Sequence, residues 1–151
     1  MSISKLTDWM DKMQSSGNRL TGPRYVVAKI LAQSERALTP QDVFDLARKN
    51  YPTLGLVSVY RTMEKMASLG LIQRVHLPQK CQAYISAFSG HEHLLVCNRC
   101  GLVEFFQGDD LTPLVQRVEE ESGYRVDTHW LQLFGLCRAC QAAGASEGST
   151  I

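Results

Sequence analysis

Ser58-Val59-Tyr60-Arg61-Thr62-Met63-Glu64-Lys65-Met66-Ala67-Ser68-Leu69-Gly70, with Leu71-Ile72-Gln73-Arg74-Val75 directly behind it, decides how the first half of this chain folds. Val59, Met63 and Met66 recur at helical spacing, which predicts a helix over residues 58–69 with those side chains buried. Gly70 suits the position just past its end. Ser58, Arg61, Thr62 and Lys65 fall on the opposite side, at i, i+3, i+4 and i+7. The period then changes from helix to strand. Residues 71–75 and 82–85 read as two strands joined across Leu77-Pro78-Gln79-Lys80, a β-hairpin.

Upstream, the chain supplies further helices. Leu6, Trp9, Met10 and Met13 line one side of a short helix over 7–15, broken by Ser15-Ser16-Gly17-Asn18. Thr21-Gly22-Pro23 opens a second helix, whose stripe is Val26, Val27, Ile30 and Leu31. Thr39-Pro40-Gln41-Asp42 opens a third: threonine caps, proline takes the first helical position and the aspartate meets the positive helix end. Its inward residues are Val43, Leu46 and Ala47, and Tyr51-Pro52 ends it. Helices followed by a hairpin form a winged helix-turn-helix pattern. Charge agrees with a role on a polyanion. Residues 1–80 hold twelve Lys/Arg against six Asp/Glu, whereas residues 81–151 hold four against nine. Arg61 in the exposed face can fork to a guanine edge or a phosphate. Ser58, Thr62 and Lys65 suit backbone oxygens, and Tyr60 beside them can touch a thymine methyl.

The second half carries different chemistry. Cys97-x-x-Cys100 and Cys137-x-x-Cys140 are two knuckles, each turning two thiolates toward one point; together they supply the four ligands of a structural zinc. The 36 residues between them exceed zinc-ribbon spacing, so that stretch must close on itself as a small domain. Two redox dithiols, or reduced core cysteines, are the competing readings, but a redox Cys-x-x-Cys comes singly at a strand-to-helix junction. Strands are expected at 93–96, 102–106, 124–126 and 130–134, and a helix at Leu111, Leu114, Val115 and Val118. His91 and His93 are two apart in an expected strand, so both point to one face. His129 begins the last expected strand, while His76 and Cys81 flank the hairpin loop. Residues 87–90 read as a hinge and 142–151 as a disordered tail. The N-terminal residues lack a signal peptide's apolar core, and no stretch approaches the ~20 apolar residues of a membrane span. The expected location is the cytoplasm, where cysteine pairs mean metal rather than disulfide.

Four segments together resemble one family. Val57-Ser58-Val59-Tyr60-Arg61-Thr62 is similar to the recognition helix of ferric uptake regulator (Fur) proteins, and Arg19-Leu20-Thr21-Gly22-Pro23-Arg24 to the family's helix start. Gly90-His91-Glu92-His93-Leu94-Leu95-Val96-Cys97-Asn98-Arg99-Cys100-Gly101 resembles its histidine-cysteine signature, and Gly135-Leu136-Cys137-Arg138-Ala139-Cys140 its ending. The resemblance covers about residues 5–141. It implies an α+β protein: a winged-helix DNA-binding domain at 1–86, with Arg24 among the DNA contacts, then the hinge, then a metal-binding α/β dimerisation domain at 91–141. It also implies structural Zn2+ at Cys97, Cys100, Cys137 and Cys140, and a sensing site between the domains. His91, His93 and His129 match three ligands of an additional site in the dimerisation domain. Its carboxylate position falls at Thr112. Glu92 and Leu94 stand where further histidines are common, and Phe105 where a carboxylate is usual, with Glu104 one position early.

Cys81 directs the metal. A thiolate near the hinge suits zinc, whereas iron sensors of this family rely on histidine and carboxylate. The resemblance is therefore strongest to the zinc-uptake branch. The expected sensor is His76, Cys81 and His91, with His93 or Glu104, and regulatory Zn2+ is the expected cofactor. The expected function is a homodimeric, zinc-responsive repressor of metal-uptake genes that binds a palindromic double-stranded operator. An iron or peroxide sensor is the alternative within the family. An enzyme is not expected: a catalytic zinc needs a general base, and strand alternation turns Glu92 away from His91 and His93. A pure zinc adaptor would leave the basic helix without a role.

Overall fold

The computed structural model describes residues 2–77, 80–87, 92–108 and 110–145. In chain order the elements are α1 (Ser2–Ser15), α2 (Gly22–Gln33), α3 (Pro40–Arg48), α4 (Leu56–Ser68), β1 (Ile72–Leu77), β2 (Lys80–Ser86), β3 (Glu92–Cys97), β4 (Val103–Gln107), α5 (Thr112–Ser122), β5 (Gln132–Gly135) and α6 (Arg138–Ala145). This is the expected α+β chain, with helices and a hairpin first and a small mixed sheet second. Among the described residues, no helix is long and apolar enough to cross a membrane.

The helix starts follow from side-chain chemistry. Thr21 Oγ1 accepts from the Arg24 amide at 3.5 Å to begin α2. Thr39 and Asp42 cap reciprocally: the Asp42 amide donates to Thr39 Oγ1 at 3.1 Å, and the Thr39 amide donates to Asp42 Oδ2 at 2.8 Å. Trp9, Met10, Met13, Val27, Leu31, Val43, Val59, Met63 and Met66 then close one core under α1–α4. β1 and β2 pair antiparallel from Ile72↔Ser86 to Leu77↔Lys80, giving the wing.

A second sheet has the order β4-β3-β5, with β4 antiparallel and β5 parallel to β3. It is joined to the wing by a second apolar cluster of Ala37, Val75, Ala83, Ile85, Leu94, Val96 and Val103. Backbone bonds reinforce that seam. The segment between α2 and α3 pairs with the wing through Leu38 and Tyr84, whose amides donate to each other's carbonyls at 2.9 and 2.8 Å. It also pairs with the second sheet: the Ala37 amide donates to the Gly101 carbonyl at 2.9 Å, and the Val103 amide to the Glu35 carbonyl at 3.0 Å. The two halves therefore meet across apolar packing and shared ladder bonds, not only through the connection at 87–90, of which residues 88–90 lie outside the described residues.

Three expectations are corrected. Residues 124–126 are not a strand; Gly123 ends α5 in the left-handed region, and the Val126 amide is taken up by Glu119 Oε1 at 2.6 Å. His129 precedes β5 rather than beginning it. The helix α6 runs to Ala145, four residues into the stretch read as tail; residues 146–151 lie outside the described residues.

Candidate metal centre

The parallel register of β3 and β5 sets Cys97 beside Gly135, so the chain leaving β5 delivers Cys137 next to the first knuckle. Two bonds shape that knuckle: the Gly101 amide donates to the Cys97 carbonyl at 3.0 Å, and the Cys97 amide to the Leu102 carbonyl at 2.8 Å. Gly101 makes the reversal at φ +72°, a conformation that favours glycine. The second knuckle rides into α6, where the Gln141 amide donates to the Cys137 carbonyl at 2.9 Å. Arg99 ties the two knuckles by donating from Nη1 to the Cys140 carbonyl at 3.2 Å.

The four Sγ atoms of Cys97, Cys100, Cys137 and Cys140 all lie within 4.8 Å of one another. Cys100 and Cys137 sulfurs are 3.7 Å apart. Sulfurs placed tetrahedrally at ~2.3 Å from zinc stand about 3.8 Å from each other, so the four thiols lie within about 1 Å of the spacing a four-thiolate metal needs. The thiols differ in proton affinity. Burial pushes Cys97 up, but the Cys137, Cys100 and Arg99 backbone amides and the Cys100 side chain outweigh it and lower the thiol to about 6. For Cys140, burial and then the neighbouring sulfurs all act upward, to about 12. When bound, zinc would fasten β3, β5 and α6 together. Among the described residues this is the only group of three or more histidine, cysteine or acidic side chains arranged to hold an ion.

The histidines distribute differently from the sequence expectation. His93 is buried in β3, with its ring 5.8 Å from His129 and 5.5 Å from Phe106. The pair borders a cavity of about 420 Å³ that is also lined by Gly108, Asp110 and Thr112. Gly108 gives the imidazole its room: a Cβ there would stand 2.5 Å from His93 Nε2 and closer still to Cδ2. Neither Gly108 nor Asp110 was marked as a site residue by sequence, because only the fold brings them to the cavity beside His93. His76 is exposed and lines a separate groove with Gln73, Arg74 and Trp130. Glu104 is exposed on β4, near the four-cysteine knuckles rather than His93. The structure thus does not gather His76 and Glu104 with His93. His91 lies outside the described residues, and of Cys81 only the backbone, in β2, is described.

On α4, Ser58, Tyr60 and Arg61 are exposed and Lys65 is half-buried. Thr62 departs from the expected polar face. It is buried among Val59, Met63 and Met66, and its hydroxyl donates to the Ser58 carbonyl at 2.7 Å. A hydroxyl satisfied by its own helix can enter a core, so the residue's polarity misdirected the sequence reading. Arg24 is half-buried and donates from Nη1 to the Arg19 carbonyl at 2.6 Å.

Residues 15–134 match the model of the ferric uptake regulator family. The chain belongs to that family. The ferric uptake regulation protein of Neisseria meningitidis is 29% identical over 134 residues, covering 88% of this chain and 93% of the relative. Among solved structures, a zinc-bound manganese uptake regulator is 26% identical with a TM-score of 0.67, covering 85% of this chain and 98% of that one. A zinc uptake regulator complexed with zinc and DNA has a TM-score of 0.71 at 20% identity, covering 96% and 98%, and that likeness is one of fold. As a member of the ferric uptake regulator family, this chain is a metal-responsive, DNA-binding transcription regulator. Proteins of this family are regulators rather than enzymes.

Proposed function

We propose that the protein is a zinc-responsive repressor of metal-uptake genes, working in the cytoplasm as a homodimer on a palindromic operator. The observation that carries metal dependence is the four-sulfur cluster, a donor set that prefers zinc to the harder divalent ions; zinc as the sensed metal is supported by the soft thiolate that Cys81 offers in the wing. In this reading Cys97, Cys100, Cys137 and Cys140 hold a structural Zn2+. Residues 1–86 form the DNA-binding domain and residues 91–141 the dimerisation domain. Ser58, Tyr60, Arg61 and Lys65 meet DNA from α4, and Arg24 supports them from α2. Regulatory zinc takes His93, whose burial beside His129 supports a ligand role. His91 and the Cys81 thiolate are its proposed further ligands. Zinc at the junction stabilises the arrangement in which the paired winged helices match the two half-sites, to the extent of its differential affinity for that arrangement.

The imidazole pair His93–His129 favours a second reading, because nitrogen donors serve iron as well as zinc. In that case the protein senses iron or peroxide. A mobility-shift titration with Zn2+ or Fe2+ after chelation separates the two. Zinc is expected to restore binding, and Cys81→Ser is expected to abolish that response while keeping the four-cysteine zinc and the dimer. Restoration by Fe2+ alone, or an unchanged zinc response in Cys81→Ser, would overturn the zinc assignment.

A further inference from the structure

Val57 stands where the fold gives it nothing to do. It is 64% exposed, in the first turn of α4. The buried side of that helix is Val59, Thr62, Met63 and Met66. At ~100° per residue, Val57 points almost straight away from their centre, with Tyr60 roughly 60° to one side and Arg61 roughly 40° to the other. Val57, Tyr60, Arg61 and Glu64 thus form one outward stripe at i, i+3, i+4 and i+7, with the valine at its leading end. A β-branched residue at an exposed helical position lowers helix propensity and gains no packing in return. Tyr60 beside it is also exposed, at 46%. An apolar pair flanked by an arginine is a poor surface for water or phosphate.

A base edge in the major groove is a better match. Thymine alone presents a methyl group there, and the N-terminal residues of a recognition helix are those that reach base edges. We propose that Val57 reads a thymine methyl in each half-site and is a specificity-determining residue of this regulator. The inference rests on α4 being the groove helix, as read above. Val57 meets the methyl, Arg61 on its flank reads a neighbouring guanine or phosphate, and Tyr60 packs on the other flank.

The test uses the full-length, zinc-loaded protein. An operator is selected from a random duplex pool, and each thymine in it is then replaced singly by deoxyuridine, which removes only the 5-methyl group. Wild type should lose about four-fold in affinity at one thymine per half-site, the loss expected for one buried methyl. Val57→Ala should bind the unmodified operator several-fold more weakly and be indifferent to deoxyuridine at that thymine. Its zinc content should equal that of wild type and its thermal unfolding should be no lower, because the side chain is exposed and alanine favours the helix. Arg61→Ala, by contrast, should remain sensitive to that substitution while binding more weakly throughout. If Val57→Ala keeps the wild-type deoxyuridine profile, the methyl is read by another residue, Tyr60 first, and the proposal fails. Failure of wild type to select any operator would instead remove the reading of α4 on which the proposal rests.

Discussion

Cys97 and Cys140 hold their protons very differently, and that difference governs how the centre responds to acid. Zinc binds thiolates, so each ligand protonated in the metal-free protein must release its proton on binding. With its thiol lowered to about 6, Cys97 is ionised at neutral pH and offers the first anionic ligand; Cys140, raised to about 12, releases its proton to solvent only when the metal binds. Zinc affinity should therefore fall as pH falls. The plot of log affinity against pH should steepen by one proton below about 6, where Cys97 also becomes protonated. Competition with a chromophoric chelator between pH 5 and 8 measures this; a slope constant through pH 6 would contradict the assignment. Gly108 supports a second prediction at this scale. A methyl group there meets the His93 ring, which is already enclosed by Phe106 and His129. Gly108→Ala should cost ~1–3 kcal/mol in urea denaturation, the usual range for overpacking. In a His93→Ala background most of that cost should vanish. Equal costs in the two backgrounds would show that the clash is relieved elsewhere. The cysteine quartet was legible in the sequence because spacing alone aims the thiolates. Gly108 and Asp110 were not, because only the folded chain sets them around the cavity of His93 and His129. Thr62 misled because a helix can absorb its hydroxyl internally.

At the scale of elements, capping chemistry and periodicity located α2, α3 and α4 to within a few residues, whereas α1 begins at Ser2, well before the expected start at residue 7. The seam between the halves was not legible. Val75, Ala83, Ile85, Leu94, Val96 and Val103 each read as an ordinary strand residue, and nothing in a one-dimensional pattern tells which sheet a face will cover. The short stretch at 124–126 failed for the opposite reason: its apolar residues alternate, but β5 already occupies the neighbouring edge of β3. The seam makes the knuckle mechanically continuous with the winged half, since Gly101 inside it accepts from Ala37. Ile85 is buried at 3% exposure in the cluster both halves share. Ile85→Ala should destabilise the whole protein by ~2–4 kcal/mol. One transition should shift in denaturant, because the residue belongs to both halves. Two separated transitions in wild type, with only the N-terminal one moved by the substitution, would show that the seam does not couple them.

For the molecule as a whole, the exposed apolar surface is concentrated in the second half. No residue of α5 is buried, although Leu114 and Val118 repeat at i, i+4 along it and remain 47% and 43% exposed. Leu95, Phe105, Leu133, Phe134 and Leu136 of the adjoining strands and knuckle are also exposed. An apolar area on this scale is unusual for a lone soluble chain and marks an association surface. A second copy would cover it symmetrically, each α5 taking the other's apolar residues, and would present two winged helices related by a two-fold axis. Val118→Glu tests that arrangement without touching the fold of one chain. In the monomer the carboxylate reaches water. In the dimer it would be buried unpaired, at a cost on the order of several kcal/mol. Sedimentation should show the wild type as a dimer and Val118→Glu as a monomer, with the same helical content and the same four-cysteine zinc. Operator affinity should fall steeply, because each half-site then binds a separate molecule and the second contact is no longer intramolecular. A dimeric Val118→Glu with wild-type operator affinity would show that α5 faces solvent in the assembly, and the partner surface would then have to lie elsewhere on the chain.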